Sequence, residues 1–80
     1  MSKLYPNPAS NEITVVYNVP DNSLLQIMDG LGRIVKVYPL NQNDINFNFS
    51  VTKLEDGIYN YRIIDKSGSM VDTGQFIVNK

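Results

Sequence analysis

The side chains of this chain that could do chemistry are carboxylates, amides and hydroxyls. Its 80 residues include no histidine and no cysteine, so Ser-His-Asp and Cys-His arrangements are excluded, as are imidazole and thiolate metal sites. A hydrolase that works with two carboxylates needs both acids on facing walls of a cleft. Nearly all the acids here fall instead in predicted turns, where solvated acids are common. The eight acids of the chain are Glu12, Asp21, Asp29, Asp44, Glu55, Asp56, Asp65 and Asp72. We therefore predict that the chain is not an enzyme.

Two polar motifs resemble ligand sites in composition. Asn41-Gln42-Asn43-Asp44 and Asp65 offer oxygen ligands for calcium, but the D-x-[DN]-x-[DN]-G spacing is missing, and Asx residues in turns usually bond their own backbone. Asp29-Gly30-Leu31-Gly32 contains a G-x-G without a third glycine and without a strand–helix context. Its glycines are explained by a hairpin. We therefore predict no metal and no cofactor.

The five tyrosines invite comparison with the aromatic platforms that stack on sugars. Tyr17, Tyr59 and Tyr61 alternate with polar neighbours, which favours packing in the core with the hydroxyl reaching water. Tyr5 and Tyr38 stand beside prolines near predicted strand ends and are candidates for exposure. The absence of tryptophan weakens the carbohydrate interpretation. An exposed row of aromatics across one sheet would favour it.

These residues are positioned by a predicted series of short strands, of which Ile58–Ile64 is the central one. It leaves a tight bend at Leu54-Glu55-Asp56-Gly57, and Tyr59, Tyr61 and Ile63 alternate with polar residues along it. That period of two is typical of a strand with one buried face. Further strands are predicted at Ile13–Asn18, Ser23–Met28, Arg33–Tyr38, Ile45–Val51 and Gly74–Val78, with Met70–Thr73 either a short strand or a continuation.

The connections between the strands define the predicted fold. Asp29–Gly32 is predicted to be a hairpin connection, and Pro39–Asp44 a polar loop. No stretch shows a helical period. The chain is therefore predicted to be an all-β, immunoglobulin-like antiparallel β-sandwich of about six to seven short strands. A small barrel is the alternative.

Length and charge limit the function further. Eighty residues make one domain, 1–80, and we interpret Met1 as an addition made for expression, with Ser2 a second candidate. A net charge of −1 without a basic stripe argues against a nucleic-acid partner. No apolar run approaches the ~20 residues that span a bilayer, so we expect no direct membrane insertion. The start, Met1–Leu4, lacks the apolar region of a signal peptide, so we expect export information to lie elsewhere and the chain to be a piece of a longer protein.

Four blocks of sequence, in order, carry a family resemblance. They are Leu4-Tyr5-Pro6-Asn7-Pro8, Ile27-Met28-Asp29-Gly30-Leu31-Gly32-Arg33-Ile34-Val35, Leu54-Glu55-Asp56-Gly57-Ile58-Tyr59 and Phe76-Ile77-Val78-Asn79-Lys80. Each block alone is common, but the set covers nearly the whole chain. It closely resembles the C-terminal sorting domain of type IX (Por) secretion cargo from bacteria of the Bacteroidetes type.

The resemblance implies an export signal fused behind one or more larger cargo domains. Such a domain reaches the periplasm on the cargo's signal peptide and is recognised by the type IX translocon, which moves the cargo across the outer membrane. In many members a surface sortase then removes the domain. The implied location is therefore secreted or cell-surface, and the sortase cleavage site would lie upstream of this chain.

The resemblance also implies a recognition site, which maps onto this chain as Gly32, Arg33, Gly57, Tyr59, Phe76, Ile77, Val78 and Lys80. The chain departs from the family in having Asn60 at a usually apolar position and Glu55-Asp56 where a proline-containing pair is frequent. The last strand is expected at a sheet edge, open to strand addition by a partner. Alternatively, Phe76 and Val78 complete the core, and the charge of Lys80 keeps other strands from pairing with the edge. Arg33 is then a solvated turn residue. The competing function is an accessory carbohydrate-binding or spacer module of a secreted glycosidase or adhesin.

Overall fold

A computed structural model describes residues 2–80, so the interpretation of Met1 lies outside the described residues. This part of the chain contains no helix and therefore none that is long and apolar enough to cross a membrane. It forms seven strands: β1 Lys3–Tyr5, β2 Glu12–Val16, β3 Ser23–Met28, β4 Ile34–Leu40, β5 Asn46–Ser50, β6 Gly57–Ile64 and β7 Met70–Val78.

The strands form two antiparallel sheets that pack face to face. One sheet has the order β1-β2-β5 and the other β4-β3-β6-β7. β6, predicted to be the central strand of the series, lies between β3 and β7 in the larger sheet. The predicted all-β sandwich is confirmed.

The core lies between the sheets and is built mainly from alternate residues of β2, β3, β6 and β7, with residues from the loops beside them. Along β6, Tyr59, Tyr61 and Ile63 point inward and are almost fully buried, as predicted. Each large apolar side chain buried in this way stabilises the fold by about 1.5–3 kcal/mol. The sixteen core residues are Ala9, Ile13, Val15, Tyr17, Val19, Leu25, Ile27, Leu40, Phe49, Val51, Leu54, Tyr59, Tyr61, Ile63, Phe76 and Val78.

Gly74 is required by the packing of Tyr61, its partner across β6 and β7. The tyrosine ring lies directly over the glycine, so a Cβ at position 74 would sit 2.7 Å from the ring atom Cε1. The Tyr61 hydroxyl shares a 2.7 Å hydrogen bond with Ser2 Oγ. A glycine opposite an aromatic ring thus lets the ring fill the space that a side chain would take.

The strand boundaries differ from those predicted by one or two residues in β2, β4, β5 and β6. Pro39, predicted to begin a loop, lies within β4 opposite Leu24. A proline is tolerated here because β4 is an edge strand, where a missing N–H need not break a ladder. Met70–Thr73 is a continuation, since β7 runs unbroken to Val78 with a register shift opposite Ile63/Ile64.

Candidate functional site

The hairpin between β3 and β4 is shaped by the carboxylate of Asp29. Its Oδ1 accepts hydrogen bonds from the backbone N–H groups of Leu31 (2.9 Å) and Arg33 (3.0 Å), and its Oδ2 accepts one from Arg33 Nε (2.8 Å). The Arg33 backbone N–H is the main cause of the lowered pKa of Asp29, with the Leu31 N–H and the Arg33 guanidinium adding to it. Asp29 is therefore ionised at neutral pH and holds the exposed Arg33 in place.

Gly32 completes this hairpin because its φ of 82° lies in the left-handed region, which residues other than glycine rarely adopt. Its N–H donates to the carbonyl oxygen of Asp29 at 3.0 Å. The 72% exposed side chain of Arg33 then projects from the tip of a rigid turn. Its ion pair with Asp29 fixes orientation more than it adds stability, since surface pairs are weak.

The turn between β5 and β6 is anchored by Tyr59. The Tyr59 hydroxyl donates to the carbonyl oxygen of Glu55 at 2.6 Å, and the ring stacks on Phe76 with centroids 5.6 Å apart. Burial raises the pKa of Tyr59, and the carboxylates of Glu55, Asp29 and Asp56 raise it further. The hydroxyl is therefore a proton donor at neutral pH, and it ties the turn to the core.

The last strand contributes both buried and exposed residues. Phe76 and Val78 point inward and are fully buried, whereas Ile77 points outward and is 41% exposed. Val78 pairs with Gly57 and Phe76 pairs with Tyr59, so the strand lies directly beside the end of the β5–β6 turn. The expectation that Phe76 and Val78 complete the core agrees with this geometry.

Lys80 is anchored to the same turn by both its backbone and its side chain. Its Nζ donates to the carbonyl oxygens of Thr52, at 3.0 Å, and Leu54. Its backbone N–H donates to Asp56 Oδ1 at 3.1 Å. The ammonium thus satisfies carbonyls of the β5–β6 turn and holds the chain after β7 against it.

The first block of the sequence also reaches the last strand. The segment Asn7–Ala9, which we call the edge strap, lies along the outer edge of β7. Ala9 donates from its N–H to the Ile77 carbonyl at 2.8 Å and accepts from the Asn79 N–H at 2.9 Å, while Asn7 Oδ1 accepts from the Ile77 N–H at 2.9 Å. The backbone of Ile77, expected to be open to a partner strand, is therefore occupied.

An open cleft of about 760 Å³ separates the β3–β4 hairpin from the β5–β6 turn. Its lining mixes apolar side chains with three bases and three acids: Leu31, Leu54, Ile58, Arg33, Lys36, Lys53, Asp29, Glu55 and Asp56. The cleft therefore presents both signs of charge beside apolar side chains. Within residues 2–80 no group of three His, Cys, Asp or Glu side chains is placed to hold a metal ion.

The structure brings all eight predicted site residues to this end of the sandwich, which we call the signal end and define as Asp29–Arg33, Thr52–Tyr59 and Phe76–Lys80. Sequence reasoning missed Asp29, Asn7 and Ala9 as parts of this arrangement. Asp29 could have been found from the sequence, because an Asp at the start of a turn often accepts hydrogen bonds from backbone N–H groups a few residues later, as Asp29 does from Leu31 and Arg33. For Asn7 and Ala9 none existed, since their partners lie about 70 residues away.

The tyrosines do not form a sugar-stacking surface. Tyr17, Tyr59 and Tyr61 are each at most 7% exposed, as predicted for core residues, and Tyr38 packs on Phe47 and Phe49. Tyr5 is exposed, at 49%, but stands alone at the end of β1. The carbohydrate-binding alternative is therefore not favoured.

Comparison with known proteins agrees with the four blocks. The model of the family described as secretion system C-terminal sorting domain matches residues 3–79. No curated protein matches the chain. Since the family model spans nearly the whole sequence and the fold, the chain belongs to the secretion system C-terminal sorting domain family and is a C-terminal sorting signal for type IX secretion.

Proposed function

We propose that the type IX translocon reads this signal, in its folded form, at the signal end. The observation that carries the proposal is that the third block and Asn7 of the first block lie against the last strand, while the hairpin of the second block faces the β5–β6 turn across the cleft. Tyr59 and Val78 are held by core packing, and Lys80 and Asn7 by hydrogen bonds. A surface that needs the whole chain to form it suits a signal that reports a folded domain.

The predicted site residues divide into those that present the surface and those that support it. Arg33, Ile77 and the turn glycines Gly32 and Gly57 are exposed and can touch a partner. The buried side chains of Tyr59, Phe76 and Val78 instead hold the turns and strand in register. Lys80 belongs to both groups, because it is exposed and also fastens the β5–β6 turn.

Recognition through the hairpin and turn suits the geometry better than strand addition along the last strand. In β7, backbone groups alternate between facing β6 and facing outward. Those of Ile77 face outward and are taken by the edge strap, which leaves the outward groups of Gln75 as the adjoining position. A strand added beside Ile77 would first have to displace Asn7–Ala9.

As a sorting domain the chain forms part of a secreted cargo, and cargo of this system crosses the outer membrane. We propose that this cargo ends on the cell surface or in the medium, and that a surface sortase cuts upstream of this single domain. A sorting signal is not a catalytic family. Its partners are accordingly the translocon, the sortase and the fused cargo.

The test is a secretion assay in a bacterium with a type IX system. A periplasmically targeted fluorescent protein carries Lys3–Lys80 behind it, in unchanged form, without Phe76–Lys80, or as Arg33→Ala or Lys66→Ala. Lys66 is the matched control, since it is an exposed base in the turn at the opposite end of β6 and β7.

We expect the unchanged fusion and Lys66→Ala in the medium or at the surface, and the truncated form in the periplasm. Arg33→Ala should fold normally yet export less. Retention of the unchanged, folded fusion in the periplasm would contradict the sorting role in this chain. Equal export of Arg33→Ala and Lys66→Ala would contradict recognition at the signal end.

A further inference from the structure

The outer faces of the two sheets differ in chemistry. The three-stranded sheet turns mainly polar side chains to solvent, which is ordinary for an antiparallel sheet. They are Lys3, Glu12, Thr14, Asn46, Asn48 and Ser50, with Tyr5 and Val16 as the exposed apolar residues of this face. The four-stranded sheet turns aliphatic side chains outward on both sides of a polar middle, which consists of Gln26, Asn60, Arg62, Thr73 and Gln75. Exposed aliphatic side chains in this number are unusual for a solvent-facing sheet. We call these residues the outer patch: Leu24, Ile34, Val37, Ile58, Met70 and Ile77, which are 41–61% exposed, with the half-buried Ile64.

Arg62 stands near the middle of the outer patch. Its register neighbours across the sheet are Gln26 on β3 and Thr73 on β7, and Val37 lies beyond Gln26 on β4. The Arg62 Nε donates to Gln26 Oε1 at 2.6 Å, which holds the guanidinium across the sheet. Among the outward-facing positions of these strands in residues 2–80, Arg62 is the only charged side chain. Arg62 thus lies in a polar row with Gln26 and Thr73, and aliphatic side chains stand on either side of that row. Arginine is enriched among the residues that dominate binding in protein interfaces.

We propose that the outer patch docks on a protein partner whose apolar surface carries a carboxylate opposite Arg62. The proposal rests on the sorting function, because the partner is one that the cargo meets during export. It adds to the signal end a second surface, continuous with it through Ile58 and Ile77.

Charge and area single out this occupant. An anionic membrane surface recruits clusters of basic residues, whereas the outer patch contains a single basic residue, Arg62. A second copy packed face to face about a two-fold axis would place Arg62 near its own image, and like charges oppose such a dimer. Four strands ~4.8 Å apart and six residues long span roughly 19 by 20 Å, or about 400 Å² in projection. Stable interfaces take about 800 Å² from each partner, so the patch fits a short-lived complex.

Site-specific photo-cross-linking during secretion tests the proposal. The photoreactive residue p-benzoylphenylalanine replaces Val37 in the outer patch or Asn48 on the polar outer face, in the exported fluorescent fusion. Each is combined with Arg62→Glu or with Lys3→Glu. The second change is the matched control, because it alters net charge equally from an exposed position on the three-stranded sheet. Thermal unfolding of the purified domains checks that every variant folds.

We expect the probe at position 37 to capture one protein that the probe at 48 does not. Arg62→Glu should reduce that adduct about tenfold or more, since reversing a charge inside an interface is costly, while Lys3→Glu leaves it unchanged. Replacing the facing acid of the captured protein by arginine should restore the adduct. Equal capture from both positions, no capture, or adducts only with lipid, with the fused cargo or with a second copy would each overturn the proposal. Failure of the sorting function shows separately, as retention of the fusion that carries no probe.

Discussion

Replacing Gly74 by alanine tests how tightly Tyr61 packs on the last strand. The new Cβ would lie 2.7 Å from Tyr61 Cε1, 2.8 Å from its Oη and 2.9 Å from its Cζ, whereas packed carbon atoms prefer about 3.5–4.0 Å. The ring would have to move by roughly 0.6–0.8 Å to relieve the contact. Tyr61 is 4% exposed and bonded to Ser2, so this shift disturbs the core and that hydrogen bond.

The expected magnitude is the difference of two effects. Overpacking a core typically costs about 1–3 kcal/mol, and replacing glycine within a strand returns about 0.5–1 kcal/mol of backbone entropy. We expect the free energy of unfolding to fall by about 1–2 kcal/mol, which in a domain of this size lowers Tm by roughly 5–15 °C. Thermal and urea unfolding, followed by circular dichroism, measure both quantities.

Gly30→Ala is the matched control for this experiment. The nearest atom to its new Cβ would be Ile58 O at 3.9 Å, an ordinary contact, and Gly30 is not in the left-handed region. An equal loss of stability in the Gly30 and Gly74 variants would refute the steric reasoning. A Tyr61→Leu background should remove most of the Gly74→Ala cost, because the two residues then no longer collide.

Three further predictions concern the signal end. Asp29→Asn should make stability less dependent on pH in acid. Because the pKa of Asp29 is lowered in the folded state, the ionised carboxylate stabilises the fold fully above the unfolded pKa of about 3.9, and this stabilisation is lost as the pH falls through the lower folded pKa. The Tm of the two proteins should therefore converge from about pH 5 downward, and Tm curves that stay parallel would contradict this. Lys80→Met keeps the aliphatic stem but removes the donor to Thr52 and Leu54, and should lower the free energy of unfolding by about 0.5–1 kcal/mol in urea titration; unchanged stability would show that the ammonium contacts are not maintained in solution. Phe76→Ala should cost about 3–5 kcal/mol, a large share of the total for so small a domain, and a loss below about 1 kcal/mol in the same titration would be incompatible with a fully buried ring.

Most of the fold is predictable from the sequence because its determinants are local. The period of two in β6 identifies its buried face, and glycines with flanking β-branched residues identify the β3–β4 hairpin. Pro39 was misplaced because its tolerance depends on β4 being an edge, which is a property of sheet order. The order of strands in a sheet is not encoded in any single stretch.

The sequence suggests candidate residues for the signal end but not the contacts between them. The family resemblance identifies Gly32, Gly57 and Lys80, yet it does not say that the ammonium of Lys80 meets the carbonyls of the β5–β6 turn. The edge strap was not predictable either, since a lone Ala9 carries no pattern. Such contacts join distant parts of the chain and appear only when the strands are assembled.

The edge strap has a consequence for the timing of folding. The hydrogen bond between Asn7 and Ile77 joins residues that are 70 positions apart, so the strap closes a loop that spans most of the described residues 2–80. Closing long loops is slow, and antiparallel sandwiches of this kind typically fold in milliseconds to seconds. The two ends of the domain can meet only after everything between them has been synthesised. A ribosome-bound chain in which Ile77 has not yet been made therefore cannot form the strap, and we expect the strap contacts to be among the last to form.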